Sequence, residues 1–410
     1  MLRKLRSFYE RRVVPFLAVN LPWLLWPAYK LLAALSVCFV INIVESVGHI
    51  TLELDGFFRR QHLGEINPKK RYLLVMRSNH LFKSCVELYG HKFRWAISSD
   101  LVYDLLLPII LRYKDITLDV GMSGWKLKLP SNKAYYLPVY KSCWHRISKS
   151  EALTQWLYYW KRRSQCPEYF PMKEGILPSS QLIKFLNGNT EKLALIHIKT
   201  NVGNATAKPT DPETYLDALG YLSDLGYRLM FVGREKMPDV FRRYKIINYS
   251  ESNITSFQHD VQLFNLADIA ITAGSGIREI ADCLGKPLVF LNSWHLPTMP
   301  LYRYCVCVPT LVQKPFGKFL KFREQFELYI RMPLRNEGGE IFPETEYRAR
   351  NTTSDEILAA VQELMSLKEN YQQRSALQER FRQLNKISSQ TFSESRVSEY
   401  FLNKHIDLFE

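Results

Sequence analysis

The sequence predicts an α/β protein made of two successive doubly wound domains. Three observations carry that expectation. The length, 410 residues, suits about two domains of ordinary size. Short apolar or β-branched runs alternate with helical stretches through most of the chain, the pattern of βαβ units on a parallel sheet. Residues 268–293 (DIAITAGSGIREIADCLGKPLVFLNS) spell a strand covered on both faces, a glycine turn, a helix, a Gly-Lys-Pro stop and a second buried strand.

The elements follow in order. Residues 1–35 form a basic and hydrophobic N-terminal segment. In a first domain over 36–188, residues 37–44 read as a buried strand, then comes the loop Glu45-Ser46-Val47-Gly48-His49 and a helix to about Arg60. Further strands are expected at 72–77 and 95–98, with helices over 79–91 and 100–113, the latter broken near Pro108 because proline removes a helix donor. Residues 120–190, rich in Lys, Tyr, Trp and Pro, complete that domain and lead out of it. In a second domain over 189–350, strands are expected at 193–198, 229–232 and 246–249. A helix spans 212–225, with Asp211 as N-cap and Pro212 at its first position, and another spans 260–267. Beyond 350 the pattern is helical over 355–368, capped by Ser354, then over 372–386 and 395–409.

Composition narrows the class. Apolar content of 47% and charged content of 23% describe a globular protein. The net charge of +15 favours an anionic partner: nucleic acid, an acidic membrane or a phosphorylated substrate. The seven cysteines show no CxxC or Cys/His zinc spacing, and Cys305 and Cys307 read as buried thiols of a reducing cytoplasm. Arg3, Lys4, Arg6, Arg11 and Arg12 precede two apolar runs, each shorter than the roughly 20 residues that cross a bilayer. With Trp23, Trp26 and Tyr29 beside them, residues 1–30 suit a segment lying on an anionic leaflet at the inner face of the cytoplasmic membrane, or else an arm packed on the protein.

Ligands of doubly wound domains bind outside the carboxyl ends of the strands. Polar residues gather at those ends: His197, Lys199 and Asn201 after one strand, Arg234 after another, Ser275 and Arg278 after a third, and Asn292, Ser293 and His295 after a fourth. Gly274-Ser275-Gly276 lets the backbone turn sharply where a helix begins, a place for a phosphate or diphosphate. An ordinary strand-to-helix turn is the alternative. GxGxxG is not met, because Glu279 stands at the third glycine position, which disfavours a dehydrogenase.

Three segments, SVGHITLELDGFFRR (46–60), IHIKTN (196–201) and TAGSGIREIADCLGKPLVFLN (272–292), together resemble a family of bacterial glycosyltransferases that occurs with surface-polysaccharide biosynthesis. The resemblance spans about 40–330. It implies the GT-B architecture, two Rossmann-like domains facing a central cleft, and transfer of a sugar from a nucleotide-sugar to a lipid-linked or surface-glycan acceptor. The nucleotide-sugar is a substrate, so no cofactor is implied. Related fucosyltransferase-like enzymes carry His-x-Arg where this chain has His197-Ile198-Lys199, and lysine holds a diphosphate as a point charge without bidentate geometry.

Such a reaction needs groups that stabilise charge on the leaving diphosphate. Lys199, Arg234 and the amides of Gly274, Ser275 and Gly276 suit that task, with His197, Arg278 and Asn292 beside them. Glu279 can hold ribose or sugar hydroxyls, or pair with Arg278 or Lys286. For an inverting enzyme His49 is the candidate base for the acceptor hydroxyl, with Glu53 and Asp55 as weaker alternatives and a capping or core histidine as the competing reading; a retaining mechanism would dispense with such a base, and the sequence leaves both outcomes open. No Asp-x-Asp pair occurs, so no metal is expected. Two rival functions stay open: a nucleotide-sugar epimerase of the same architecture, and a non-enzymatic basic protein binding nucleic acid or membrane. For the second, Trp125, Tyr135, Tyr136, Tyr140, Lys141 and Trp144 could stack bases. No recognised nucleic-acid motif is present, and nucleic acid is not the expected partner.

Overall fold

A computed structural model describes residues 8–9, 13–41, 46–121, 125–127, 144–146, 149–166, 177–189, 192–199, 210–293, 300, 302–314, 317–331, 347–384 and 393–409. The chain forms two compact units. Unit 1 is Met1–Ala152, Phe170–Gly175 and Ser256–Gln258; unit 2 is Leu153–Tyr169, Ile176–Thr255 and His259–Glu410. Each is built on a parallel sheet flanked by helices, so the predicted α/β class holds. Asn201, His295, Tyr135, Tyr136, Tyr140, Lys141, Glu45 and the basic residues of the first twelve lie outside the described residues.

Unit 1 contains β1 (Val37–Ile41), β2 (Arg71–Met76), β3 (Trp95–Ser98) and β4 (Thr117–Asp119), in the order β3-β2-β1-β4 with every pairing parallel. Side chains alternate between the two faces. Val37, Phe39, Ile41, Leu73 and Val75 pack against helices Val14–Asn20, Pro22–Ala34 and Asp100–Arg112. On the other face Tyr72 meets Phe57 edge-to-face, 5.2 Å between centroids, from helix Val47–His62. That helix also buries a pair, Arg59 Nε donating to Asp55 Oδ2 at 2.6 Å. This engages Asp55, one of the alternative bases, in a structural contact. The expected break at Pro108 does not occur: the helix runs from Asp100 to Arg112. Proline leaves the carbonyl of Asp104 without its helical donor, and the Tyr9 hydroxyl donates to that carbonyl at 2.7 Å. A short antiparallel pair, β5 (Trp125–Leu127) and β6 (Trp144–Arg146), follows in the region rich in Lys and aromatics.

Unit 2 carries β7 (Leu193–His197), β8 (Arg228–Phe231), β9 (Ile247–Asn248), β10 (Ile269–Ala273), β11 (Leu288–Ser293) and β12 (Cys305–Pro309). An antiparallel pair, β13 (Leu311–Gln313) and β14 (Arg348–Arg350), lies outside the main sheet, and β15 (Arg396–Val397) closes its edge. The main sheet runs β15-β12-β11-β10-β7-β8-β9, all parallel. Its inner strands, β8, β7, β10, β11 and β12, are nearly continuous apolar runs because both faces are covered. The Cys305 and Cys307 thiols are buried in β12, as expected. Asp211 accepts from the Glu213 amide at 3.1 Å and caps a 3₁₀ turn that leads into helix Leu216–Asp224. Helix Ser354–Glu369 opens one residue earlier than expected, with the Thr353 amide donating to Glu356 at 2.9 Å. The expected helix over 395–409 is divided: β15 pairs with β12, and only then come Glu399–Lys404 and a 3₁₀ turn.

The strand orders locate the crevices. From β7 the chain moves outward to β8 and β9, then returns to the other side of β7 with β10. From β1 it moves outward to β2 and β3, then returns with β4. Each reversal is a topological switch point, where adjacent strands send their connections to opposite sides and open a crevice at their carboxyl ends. Among the described residues no helix is long and apolar enough to cross a membrane.

Candidate functional site

The switch point of unit 2 lies between β7 and β10, whose register sets His197 beside Thr272. Both side chains are buried. His197 Nε2 lies 3.3 Å from Glu235 Oε2, two residues beyond the turn that follows β8. The carboxylate can only accept, so this contact puts a proton on Nε2. His197 Nδ1 and Thr272 Oγ1 have no hydrogen-bond partner among the described residues. Burial alone would raise the Glu235 carboxyl, but His197 and the amides of Arg234 and Glu235 outweigh it and hold it below the ordinary range. Gly233 makes the pair fit. Its φ is +109°, and a Cβ there would fall 2.7 Å from His197 Cδ2.

Lys199 stands two residues past β7, half-buried, and has no hydrogen bond or ion pair among the described residues. Past β10, Gly274, Ser275 and Gly276 form the turn. Helix Arg278–Cys283 is only six residues long. The amides of Arg278 and Glu279 bond back to Ser275 and Gly276 at 3.1 and 3.2 Å. Among the described residues nothing accepts from the amides of Ser275, Gly276 and Ile277. The turn's donors are therefore the larger resource, since so short a helix has little dipole.

Arg278, Glu279 and Asn292 lie elsewhere. Arg278 and Glu279 are buried and bonded to each other, and the guanidinium stacks on Phe290 at 4.6 Å from the ring centroid. Burial lowers the Arg278 pKa, opposed chiefly by Asp282. Asp282 in turn binds Arg163, Nη1 to Oδ2 at 3.1 Å. Asn292 sits at φ +52° where the pairing of β11 with β12 shifts register. Its Oδ1 accepts from the Thr352 amide at 2.9 Å and hydroxyl at 2.7 Å, fastening β11 to the segment before helix Ser354–Glu369.

Arg234, exposed just past β8, has a neighbour that sequence reasoning missed. Asp260 is buried, accepts from the Tyr249 hydroxyl, and has its carboxyl pushed up to about 7 by burial, against the pull of Tyr249 and Arg234. Glu235, Gly233 and Thr272 were also missed. The faint signal for them was position alone, since each lies within four residues of a strand's carboxyl end.

His49 belongs to unit 1. It is the third residue of helix Val47–His62, which starts after the carboxyl end of β1 beside that sheet's own switch point. Its Nδ1 is 4.0 Å from Glu53 Oε1, with 36% of the side chain exposed. Burial of its surroundings lowers the imidazole to about 4, so it is neutral at pH 7. Among the described residues no group of three or more His, Cys, Asp or Glu side chains is placed to hold a metal ion.

No protein-family model and no curated protein matches the chain. Solved structures do. The chain is similar to the iron-containing dodecameric glycosyltransferase TibC of enterotoxigenic E. coli H10407, at 13% identity over 80% of this chain and 76% of that one, TM-score 0.48. It is similar to the ADP-heptose LPS heptosyltransferase II of E. coli, at 13% identity over 81% and 99%, TM-score 0.46. A glycosyl transferase family 9 protein of Veillonella parvula DSM 2008 gives 11% identity over 81% and 98%, TM-score 0.44. All three TM-scores lie below 0.5.

Proposed function

We propose that the chain is a glycosyltransferase that moves a sugar from a nucleotide-diphosphate donor to a lipid-linked or surface-glycan acceptor. One observation carries the reading. The switch point between β7 and β10 brings together Lys199, whose ammonium has no partner among the described residues, and the turn after β10, where the amides of Ser275, Gly276 and Ile277 have none among them either, at the place where such folds bind ligands. Arg234 adds a second cation one strand away. This is the equipment for a diphosphate, whose charge grows as the bond from the anomeric carbon to the phosphate oxygen breaks. His197, held by Glu235, forms the polar floor with Thr272. Arg278, Glu279 and Asn292 keep the turn and β11 in place rather than meeting the donor.

The acceptor oxygen forms the new bond to the anomeric carbon and loses its proton to a base. We assign that role to His49, whose neutral imidazole is in the proton-accepting form at pH 7. The cationic side chains and amides replace a metal in this scheme, in keeping with a sequence that lacks Asp-x-Asp. Residues 1–30 are assigned to an anionic membrane surface at the inner face of the cytoplasmic membrane. In support, helix Pro22–Ala34 buries none of its residues, and Trp23 and Trp26 stand exposed.

A thermal-shift panel of UDP, GDP, ADP and CMP tests the donor site. A nucleotide at 100 times its Kd adds about 2.7 kcal/mol of apparent stability. Lys199→Ala and Arg234→Ala should then weaken binding of the responding nucleotide in calorimetry, each by about 10-fold or more. Unchanged affinity in both variants removes the site. Incubation of donor without acceptor identifies an epimerase if the sugar itself is altered.

A further inference from the structure

Unit 1 is strongly asymmetric. Among the described residues, eleven of the eighteen large hydrophobic side chains that stand exposed belong to it, and all of them lie before residue 106. None comes from helices Val47–His62 or His80–Tyr89, which cover one side of the sheet. They come from the N-terminal helices, helix Asp100–Arg112 and the edge strand β3. Leu101 and Leu105, one helical turn apart, are 69% and 63% exposed. Trp95 and Ile97 of β3 are in register with Leu73 and Val75, so they lie on the sheet face that these helices cover. They are exposed there beyond the helices' reach. Trp23 and Trp26 stand exposed on helix Pro22–Ala34, which packs against Asp100–Arg112 with its first residue at that helix's C-terminal end, where the Tyr113 hydroxyl donates to the Pro22 carbonyl at 3.1 Å.

Soluble proteins scatter single apolar side chains over their surface, but eleven on one side of one unit mark an interaction surface. Its chemistry selects the occupant. Lys30 holds its ammonium 5.4 Å from the Trp26 ring centroid, and Arg94 lies 5.9 Å from that of Trp95. Residues 1–35 contain six basic residues against Glu10 alone. The two carboxylates on the helix, Asp100 and Asp104, are drawn to Arg77 at 3.8 and 2.9 Å, so they do not present bare negative charge. Indoles and leucines ringed by cations match the boundary of an anionic bilayer, where the rings sit at headgroup level and ammonium groups meet phosphates.

We propose that the membrane-docking surface is a composite, in which helix Asp100–Arg112 and the outer face of β3 enter an anionic lipid surface together with helix Pro22–Ala34. The proposal rests on the membrane reading of residues 1–30 and extends it to a part of the chain some 70 residues away. It makes the sheet of unit 1, and not a tether, the body that meets the lipid.

Sedimentation of the full chain with vesicles of phosphatidylglycerol and phosphatidylcholine tests it, with pure phosphatidylcholine as the uncharged comparison. Leu101→Gln with Leu105→Gln should cut partitioning into anionic vesicles by about 10-fold or more, from the apolar area withdrawn from lipid. Trp23→Ser with Trp26→Ser should do the same, and pure phosphatidylcholine should retain little of the protein. Both substituted pairs are surface-exposed, and an unchanged melting temperature confirms the fold. Loss with the tryptophan pair alone overturns the composite surface while leaving the reading of residues 1–30 intact. Equal partitioning of all three proteins overturns both. A dimer in light scattering that the leucine pair dissociates, with vesicle binding unchanged, assigns the face to a second copy of the chain and also overturns the proposal. None of these outcomes touches nucleotide binding, which calorimetry follows separately.

Discussion

Gly233→Ala tests whether His197 and Glu235 form a fixed pair at the switch point. The backbone there has φ +109°, which an L side chain rarely adopts. The new Cβ would fall 2.7 Å from His197 Cδ2, 3.0 Å from Glu235 Oε2 and 3.2 Å from His197 Nε2. The ring is only 1% exposed and stands at the end of a central strand, so it cannot swing into solvent. Strained backbone costs about 1–3 kcal/mol. Breaking a buried hydrogen bond to a charged group costs about 1.5–3 kcal/mol more. The sum, about 2.5–6 kcal/mol, corresponds to a Tm lower by roughly 5–24 °C for a unit of this size. Gly226→Ala separates the two effects. Its φ is +80°, but the nearest atom to a new Cβ is the mobile Lys192 Nζ at 3.8 Å, so only backbone strain of about 1 kcal/mol is expected. Thermal unfolding by circular dichroism measures both variants. Equal losses would refute the claim that Gly233 is required by the pair, and calorimetry on Gly233→Ala should show weakened nucleotide binding as well.

Three further outcomes are expected. Tyr9→Phe should cost about 1 kcal/mol in denaturant unfolding, and less in a Pro108→Ala background, where the restored amide reclaims the Asp104 carbonyl; equal costs in both backgrounds would exclude the hydroxyl as the substitute donor. Asp260 binds its proton more tightly folded than unfolded between about pH 4 and its folded value of about 7, so its contribution makes stability fall as pH rises through that window, by at most about 1.4 kcal/mol per unit, and level off above it; Asp260→Asn should flatten a Tm–pH curve over pH 4–8. His49→Ala should lower kcat by about 100-fold or more with donor affinity unchanged, and the wild-type rate should show no half-point near 6.5 from this group, because its imidazole stays neutral down to about pH 4.

What the sequence disclosed and what it withheld divide along a physical line. Local information is enough for the 268–293 unit: a continuous apolar run, two glycines and a second run identify strand, turn, helix and strand with little outside help. Helix Asp100–Arg112 shows the opposite case. Pro108 signals a break, and the hydroxyl that removes its cost comes from Tyr9, 95 residues before the Asp104 carbonyl it serves. No periodicity contains that information. The same holds for β15, two residues long and defined only by its pairing with β12. Glu235 looks like one more surface acid until β7 and β8 are known to be neighbours.

The contrast between Ser275 and Arg278 takes this further. Both follow β10 closely, and both look suited to meet a phosphate group. Ser275 lies in the turn, where direction is set by the end of the strand and the backbone faces the crevice. Arg278 comes one helical turn later, on a helix whose six residues are all buried. A side chain on that helix is directed by the packing of Phe290 and Glu279, so its charge ends inside unit 2. Buried in this way, the ion pair is strongly destabilised by losing one member, which leaves an uncompensated charge. Arg278→Ala should therefore lower stability and, through the turn, binding together. Lys199→Ala should lower binding alone, because Lys199 is half-buried and has no ion pair among the described residues. That difference in pairing of readouts is how a residue that contacts the donor is told from one that supports the contact.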